Sequence, residues 1–176
     1  CCGREIEHPR SRVAMQLKNQ SNKQRETIAM LNARPNLWGI VLAGGEEERL
    51  KEFIRAHLGS EAPKQFCTFQ GHRTMDEATL RRASVAIPQQ RLVLVGTEHQ
   101  RHHLFRSLGD AAPGLVLLQP RGCDTAPGIL LPLIHVLRQD PDATVAILPS
   151  DQFVRPGKKL MAMVSDAAAF LTDSAS

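Results

Sequence analysis

Gly44 and Gly45 stand at the end of an apolar run, Trp38-Gly-Ile-Val-Leu-Ala43, in the stretch LAGGEEERL. A phosphate approaches backbone closely only where no Cβ intrudes, and a helix following such a turn presents unpaired N–H groups and about half a positive charge. Downstream lie two cations of different kinds, Arg49 and, in APKQF, Lys64. A guanidinium grips phosphate oxygens in pairs, whereas an ammonium delivers a compact charge. Asp151, in ILPSDQF, follows another apolar run, where a carboxylate can hold Mg2+ together with phosphate oxygens and water. These residue types suit displacement at phosphorus, in which the protein positions the groups and neutralises developing charge. Each also has an ordinary explanation by itself: a turn for the glycines, a surface charge for either cation, an N-cap or turn for Asp151. The dinucleotide fingerprint GxGxxG is missing because positions 46 to 48 are all Glu, and the P-loop is missing because no GK[ST] occurs.

The elements that must position these residues are legible as alternating patterns. Short runs rich in Val, Ile and Leu at 38–42, 92–95, 115–118 and 144–148 predict strands buried on both faces. Helix-length segments fall between them at about 73–86, 97–108, 125–139 and 157–171. Strand, helix, strand in repetition implies right-handed crossovers and a parallel sheet covered on both sides. Ligands of such sheets gather beyond the carboxyl ends of the strands, which singles out the loops LAGGEEER, QPRGCDTAP and PSDQF. Thr125 reads as a helix N-cap with Asp124 beside it, and Pro127 fits the first turn. Pro132 is expected to kink that helix or mark its real start.

At 176 residues the chain has room for one domain with a real core. Residues 1–36 read as a basic leader, an amphipathic helix over about 10–33 or a flexible tail, and 37–176 as the globular domain. The leader holds seven Lys or Arg against three Asp or Glu; in the remainder 15 of each cancel, so the net charge of +4 resides in the leader. A neutral globular part with few aromatics does not predict a nucleic-acid partner. No apolar run approaches the roughly 20 residues a bilayer crossing needs, so no membrane partner is expected. Cys1, Cys2, Cys67 and Cys123 form no CxxC pair and no disulfide framework, which fits reduced thiols in a cytoplasm. His99, His102 and His103 are spaced to share a helical face, read here as solvated rather than metal-binding. Association into a homo-oligomer is left open.

LAGG, Arg49-Leu50, PKQF, QPRGCDTAPGI and PSDQF occur in an order and spacing that resembles the nucleotide-binding half of the mannose-1-phosphate guanylyltransferases, members of the sugar-phosphate nucleotidyltransferase superfamily. The likeness runs from about Trp38 to the end of the chain. PKQF-like segments also follow a glycine loop in the cytidylyltransferases of isoprenoid synthesis, while TAP and PSD tilt toward the guanylyltransferases. The resemblance implies an α/β fold, a Rossmann-like three-layer sandwich with a mostly parallel sheet. It implies GTP and a sugar 1-phosphate, mannose 1-phosphate first, as substrates, a GDP-sugar and pyrophosphate as products, and Mg2+ as cofactor. By the same resemblance the backbone of Leu42, Ala43, Gly44 and Gly45 cradles the nucleotide, and Arg49 and Lys64 are the catalytic candidates that hold phosphates. Gln119, Pro120, Gly122 and Thr125 line the base and ribose side, Asp151 takes the metal, and the sugar-binding half lies beyond Ser176. A non-catalytic relative serving as a nucleotide-binding or interaction module, and a cytidylyltransferase, are the alternative readings.

The family loop usually reads GGxGxR, so Glu47 occupies the place of its second glycine, and Cys123-Asp124 replaces a polar pair before TAP. A carboxylate about 6 Å from a phosphate charge, at an effective dielectric near 20, costs about 3 kcal/mol before screening. Acidic residues in a helix's first turn gain only about 0.3–1 kcal/mol each. Glu47→Gly is therefore expected to tighten GTP binding by up to about a hundredfold in a calorimetric titration. An unchanged affinity would mean that the loop does not meet the phosphates.

Overall fold

Leu37–Leu42, the sequence LWGIVL, forms β1, the inner strand on which the rest assembles. The computed structural model describes residues 36–45, 48–122 and 124–174. The leader, whether helix or tail as expected, together with Glu46, Glu47 and Cys123, lies outside the described residues. β1 is followed by a single 3-10 turn, Glu48–Leu50, and helix α1, Lys51–Leu58, which buries only Ile54 and ends at Gly59. A helix start after the glycine loop was expected from the sequence, but this segment was not among the helix-length segments placed between the strands. A second 3-10 turn, Lys64–Phe66, precedes α2, Met75–Ala83. Then come β2, Leu92–Thr97; the 3-10 turn Glu98–Gln100; α3, Arg101–Leu108; and β3, Leu115–Gln119. The described chain closes with α4, Thr125–Gln139, β4, Thr144–Pro149, and α5, Gly157–Ser174.

The four strands run parallel in the order β3-β2-β1-β4. Strand periodicity separates the core into two layers. Leu37 and Val41 of β1 and Leu92 and Leu94 of β2 pack with Leu80, Leu104 and Met161 from α2, α3 and α5. Trp38 and Ile40, with Val93 and Val95, pack instead with Leu133 and Val136 of α4. Helices therefore cover both faces of the sheet, giving the expected three-layer α/β arrangement. Each fully buried Val, Leu or Ile contributes about 1.5–3 kcal/mol relative to exposure, so these two layers dominate stability. Gly39 lets β1 approach its neighbours: a Cβ there would lie 2.7 Å from Leu92 Cδ2 and 3.0 Å from Ile87 Cδ1.

Only β1 and β2 match the expectation of strands buried throughout. β3 and β4 are the sheet's edges, and their residues are mostly half-buried or exposed, with Ile147 43% exposed. Pro132 does not mark the start of its helix: α4 begins at Thr125 and continues through Pro132 to Gln139, with Pro132 and Val136 buried. Pro132 forfeits one hydrogen bond to the residue four positions back, here Gly128, and packing of the helix on the sheet outweighs that loss.

Asp76, near the start of α2, is fully buried, accepts a hydrogen bond from the Ser107 hydroxyl through Oδ2, and has no partner at Oδ1. Burial pushes its carboxyl above the usual carboxylate range, and the Ser107 hydrogen bond offsets part of that shift. The folded state thus holds this proton more tightly than the unfolded chain does. The stability it contributes is complete below the ordinary carboxylate pKa and is lost as pH rises through the folded value. Asp76→Asn removes this loss and is expected to raise unfolding free energy at pH 7 by about 1 kcal/mol, with no gain at pH 3. Urea denaturation of both proteins across that range checks the sign.

Candidate functional site

The chain steps from β1 to β2 and β3 on one side, then returns so that β4 pairs with the opposite edge of β1. At this reversal the loops leaving β1 and β4 diverge, and a crevice opens beyond their carboxyl ends. A cavity of about 450 Å3 occupies it. Its β1 side is Leu42, Gly44 and Gly45; Lys64 and Gln65 enter from the turn Lys64–Phe66, and Val95 from β2. Gln119, Gly122, Asp124, Thr125 and Gly128 line it from the β3–α4 connection, and Pro149, Ser150 and Asp151 from the end of β4.

Hydrogen bonds hold the glycine loop on both flanks. The Ala43 N–H donates to Val95 O at 2.8 Å, and the Ser150 N–H donates to Leu42 O at 3.0 Å. The side-chain amide of Gln65 reaches Ala43 O at 2.9 Å and Gly45 O at 3.0 Å. Space around the two glycines differs. A Cβ on Gly44 would meet Thr97 Cγ2 at 3.4 Å, whereas one on Gly45 would meet nothing within 4 Å. A Cβ at Gly44 would thus only touch its neighbours, and Gly45 leaves backbone bare at the cavity.

Across the cavity Lys64 Nζ and Asp151 Oδ2 form an ion pair at 2.8 Å, with side chains 14% and 34% exposed. The pair places a compact cation and a hard oxygen donor side by side in the cavity that the glycine loop also lines. Such a partly screened pair is stronger than a surface pair and weaker than a fully dry one. The third wall is the start of α4. Its N-cap is Asp124, not Thr125 as expected: Thr125 is already helical, and Asp124 makes no side-chain capping bond. Asp124 has φ 61° and ψ −172°, a backbone region that glycine favours and that costs other residues about 1–3 kcal/mol. The α4 N-terminus, with its unpaired N–H groups, thereby opens at Thr125 and Gly128 onto the cavity.

Of the residues singled out in the sequence, Leu42, Gly44, Gly45, Lys64, Gln119, Gly122, Thr125 and Asp151 share this cavity. Ala43 is buried behind it and contributes its carbonyl to Gln65. Arg49, exposed on the turn Glu48–Leu50, and Pro120, exposed after β3, are not among its lining residues. The sequence analysis passed over Gln65, Gln100 and Ser150, all buried. Gln65 and Ser150 lie inside PKQF and PSDQF, so their signal was adjacency to Lys64 and Asp151; Gln100 had none. His99 and His102 are exposed, and His103 stacks against Phe66 with centroids 5.9 Å apart. Burial, then the neighbouring His102 and Arg106, push its imidazole below the usual range. Among the described residues no group of three or more His, Cys, Asp or Glu is arranged to hold a metal. Cys67 is buried, and burial pushes its thiol up, away from reactivity.

Comparison with known proteins places this architecture. Xanthan biosynthesis protein XanB of Xanthomonas campestris is 32% identical over 132 residues, covering 74% of this chain and 27% of XanB. Mannose-1-phosphate guanylyltransferase 2 of Escherichia coli O157:H7 is 31% identical over 119 residues, covering 65% of this chain and 24% of that protein. The chain thus spans about a quarter of the length of the curated relatives it matches. Among solved structures, one titled mannose-1-phosphate geranyltransferase, from Thermus thermophilus, superposes with a TM-score of 0.58 at 28% identity, covering 74% of this chain and 37% of that one. Mannose-6-phosphate isomerase from Helicobacter pylori shares the fold, with a TM-score of 0.57 at 19% identity, covering 76% of this chain and 46% of that one. Residues 38–173, which carry all four strands and the whole cavity, match the nucleotidyl transferase family, and the chain belongs to that family.

Proposed function

We propose that this domain binds the nucleotide in a guanylyltransferase that forms a GDP-sugar from GTP and a sugar 1-phosphate, with mannose 1-phosphate the first candidate. The observation that carries the reading is that the Lys64–Asp151 pair and a bare glycine loop line one cavity. Two relatives named for mannose 1-phosphate support the choice of sugar. In the reaction an oxygen of the sugar phosphate attacks the α-phosphorus of GTP. The new P–O bond forms as the bond to the β-phosphate bridging oxygen breaks, and pyrophosphate leaves.

The residues divide the work by charge. Gly44 and Gly45 let the triphosphate approach backbone amides, and Lys64 exchanges Asp151 for phosphate oxygens, neutralising charge that builds on the leaving group. Asp151, released from Lys64, fits Mg2+, since its carboxylate is a hard donor beside the phosphate path and one or two carboxylates suffice when phosphates and water complete the shell. The bound ion would supply further neutralisation of the phosphates. Gln119, Gly122 and Thr125 face the nucleoside end. A second reading, favoured by Glu47 in the loop, is a relative that holds nucleotide weakly and does no chemistry.

Calorimetric titration with GTP and with CTP in the presence of Mg2+, followed by a pyrophosphate-release assay with mannose 1-phosphate, separates these readings. Weak GTP binding, with a dissociation constant of about 100 μM, is expected. Lys64→Ala should weaken it by about tenfold or more, the loss of one charge-assisted contact. Asp151→Asn should abolish the dependence on Mg2+. Pyrophosphate release establishes the catalytic reading and binding without release supports the second; preference for CTP would reassign the base, and no binding would remove the nucleotide from the cavity.

A further inference from the structure

Gln65 and Gln100 are each only 2% exposed, and they come from different elements, the turn Lys64–Phe66 and the turn Glu98–Gln100 after β2. Gln65 Nε2 lies 2.9 Å from Ala43 O, 3.0 Å from Gly45 O and 3.2 Å from Gln100 Oε1. Gln100 Nε2 in turn lies 3.4 Å from Gly45 O. One nitrogen with two hydrogens thus serves three acceptors. The amide has a single workable orientation, because turning it over would set its oxygen against three oxygens. Burying two primary amides is unfavourable unless their hydrogen bonds are made, and here the bonds go to the glycine loop and to each other.

From this network the structure assigns Gln65 and Gln100 as positioning residues that set the glycine loop for phosphate before any ligand arrives. The inference rests on the nucleotide-binding reading above. In a trans peptide the C=O and the following N–H point in opposite directions. Anchoring the Ala43 carbonyl on Gln65 therefore turns the Gly44 N–H away from Gln65. The Gly45 carbonyl, claimed by both glutamines, cannot rotate toward an incoming anion and repel it. Gln65 also adjoins Lys64 on the same short turn, so a single element places both the cation and the loop. A loop held in its binding geometry in advance loses less freedom when the ligand binds.

The test uses the full chain carrying Gln65→Met or Gln100→Met, substitutions that keep volume and remove the donors. In the ligand-free protein, hydrogen exchange at the Ala43 amide, which is bonded to Val95 O, is expected to quicken at least tenfold in Gln65→Met, while the inner β2 amides stay close to wild type. Binding of GTP with Mg2+, and of inorganic pyrophosphate with Mg2+, should each weaken about tenfold in Gln65→Met and about threefold in Gln100→Met, which keeps the bond to Ala43. If Gln65→Met does not fold, Gln100→Met carries the same comparison. Unchanged loop exchange and affinity in a folded variant would overturn the positioning role and leave the nucleotide reading intact, as would acceleration spread evenly over β1 and β2. A wild-type chain that binds neither GTP nor pyrophosphate would overturn both.

Discussion

Parallel pairing of β1 with β4 is the constraint on which the site depends. Its register runs from Leu37 opposite Thr144 to Leu42 opposite Pro149, and the Ser150 N–H extends it by one more bond to Leu42 O. That register delivers Asp151 to the side of the glycine loop. On the other flank β2 pairs with β1 from Gly39 opposite Leu92 to Leu42 opposite Val95, and Val95 O receives the Ala43 N–H. The loop is therefore suspended between two strands, β2 aligned on β1 by buried Val and Leu side chains and β4 by its backbone ladder and the buried Leu148. Apolar packing far from any polar chemistry thus sets where the polar groups stand.

Charge at the mouth follows from that geometry. Lys64 is 14% exposed, and leaving such a cation unmatched would cost several times what its pair with Asp151 returns. The pair sets one group of each sign side by side in the crevice, and Asp124 adds a second carboxylate to its lining. The α4 N-terminus adds partial positive charge from the third side. The balance of the site is thus set by a few charges whose separations matter more than their number.

How much was legible beforehand depended on whether a signal was local. The four strands and the helices after the first were readable because their apolar runs repeat at strand or helix spacing over many residues. α1 was legible only as a helix start after the glycine loop, since its eight residues bury Ile54 and leave Phe53 and Leu58 exposed. Whether Pro132 opens its helix could not be judged without the sheet against which α4 packs. Thr125 and Asp124 are both N-cap types, and the entry of the chain from β3 puts Asp124 in that place with φ at 61°. The edge character of β3 and β4 was equally hidden, because sheet order is set by which crossover packs on which face.

The sequence by itself determined the chemistry on offer and its order along the chain: glycines after a buried strand, then a lysine, then a helix start, then a carboxylate after the last strand. Only the tertiary structure decided which of them meet. It gathered Lys64 and Asp151 to 2.8 Å and left Arg49 and Pro120 outside the cavity lining. It also drew in Gln65 and Gln100, whose amides bond across 20 and 55 residues to Gly45. The physical reason is that a hydrogen bond or ion pair forms within about 3 Å of space, whatever the distance along the chain. Residue type announces what a group can do, and the packing of the sheet settles what lies close enough for it to do so.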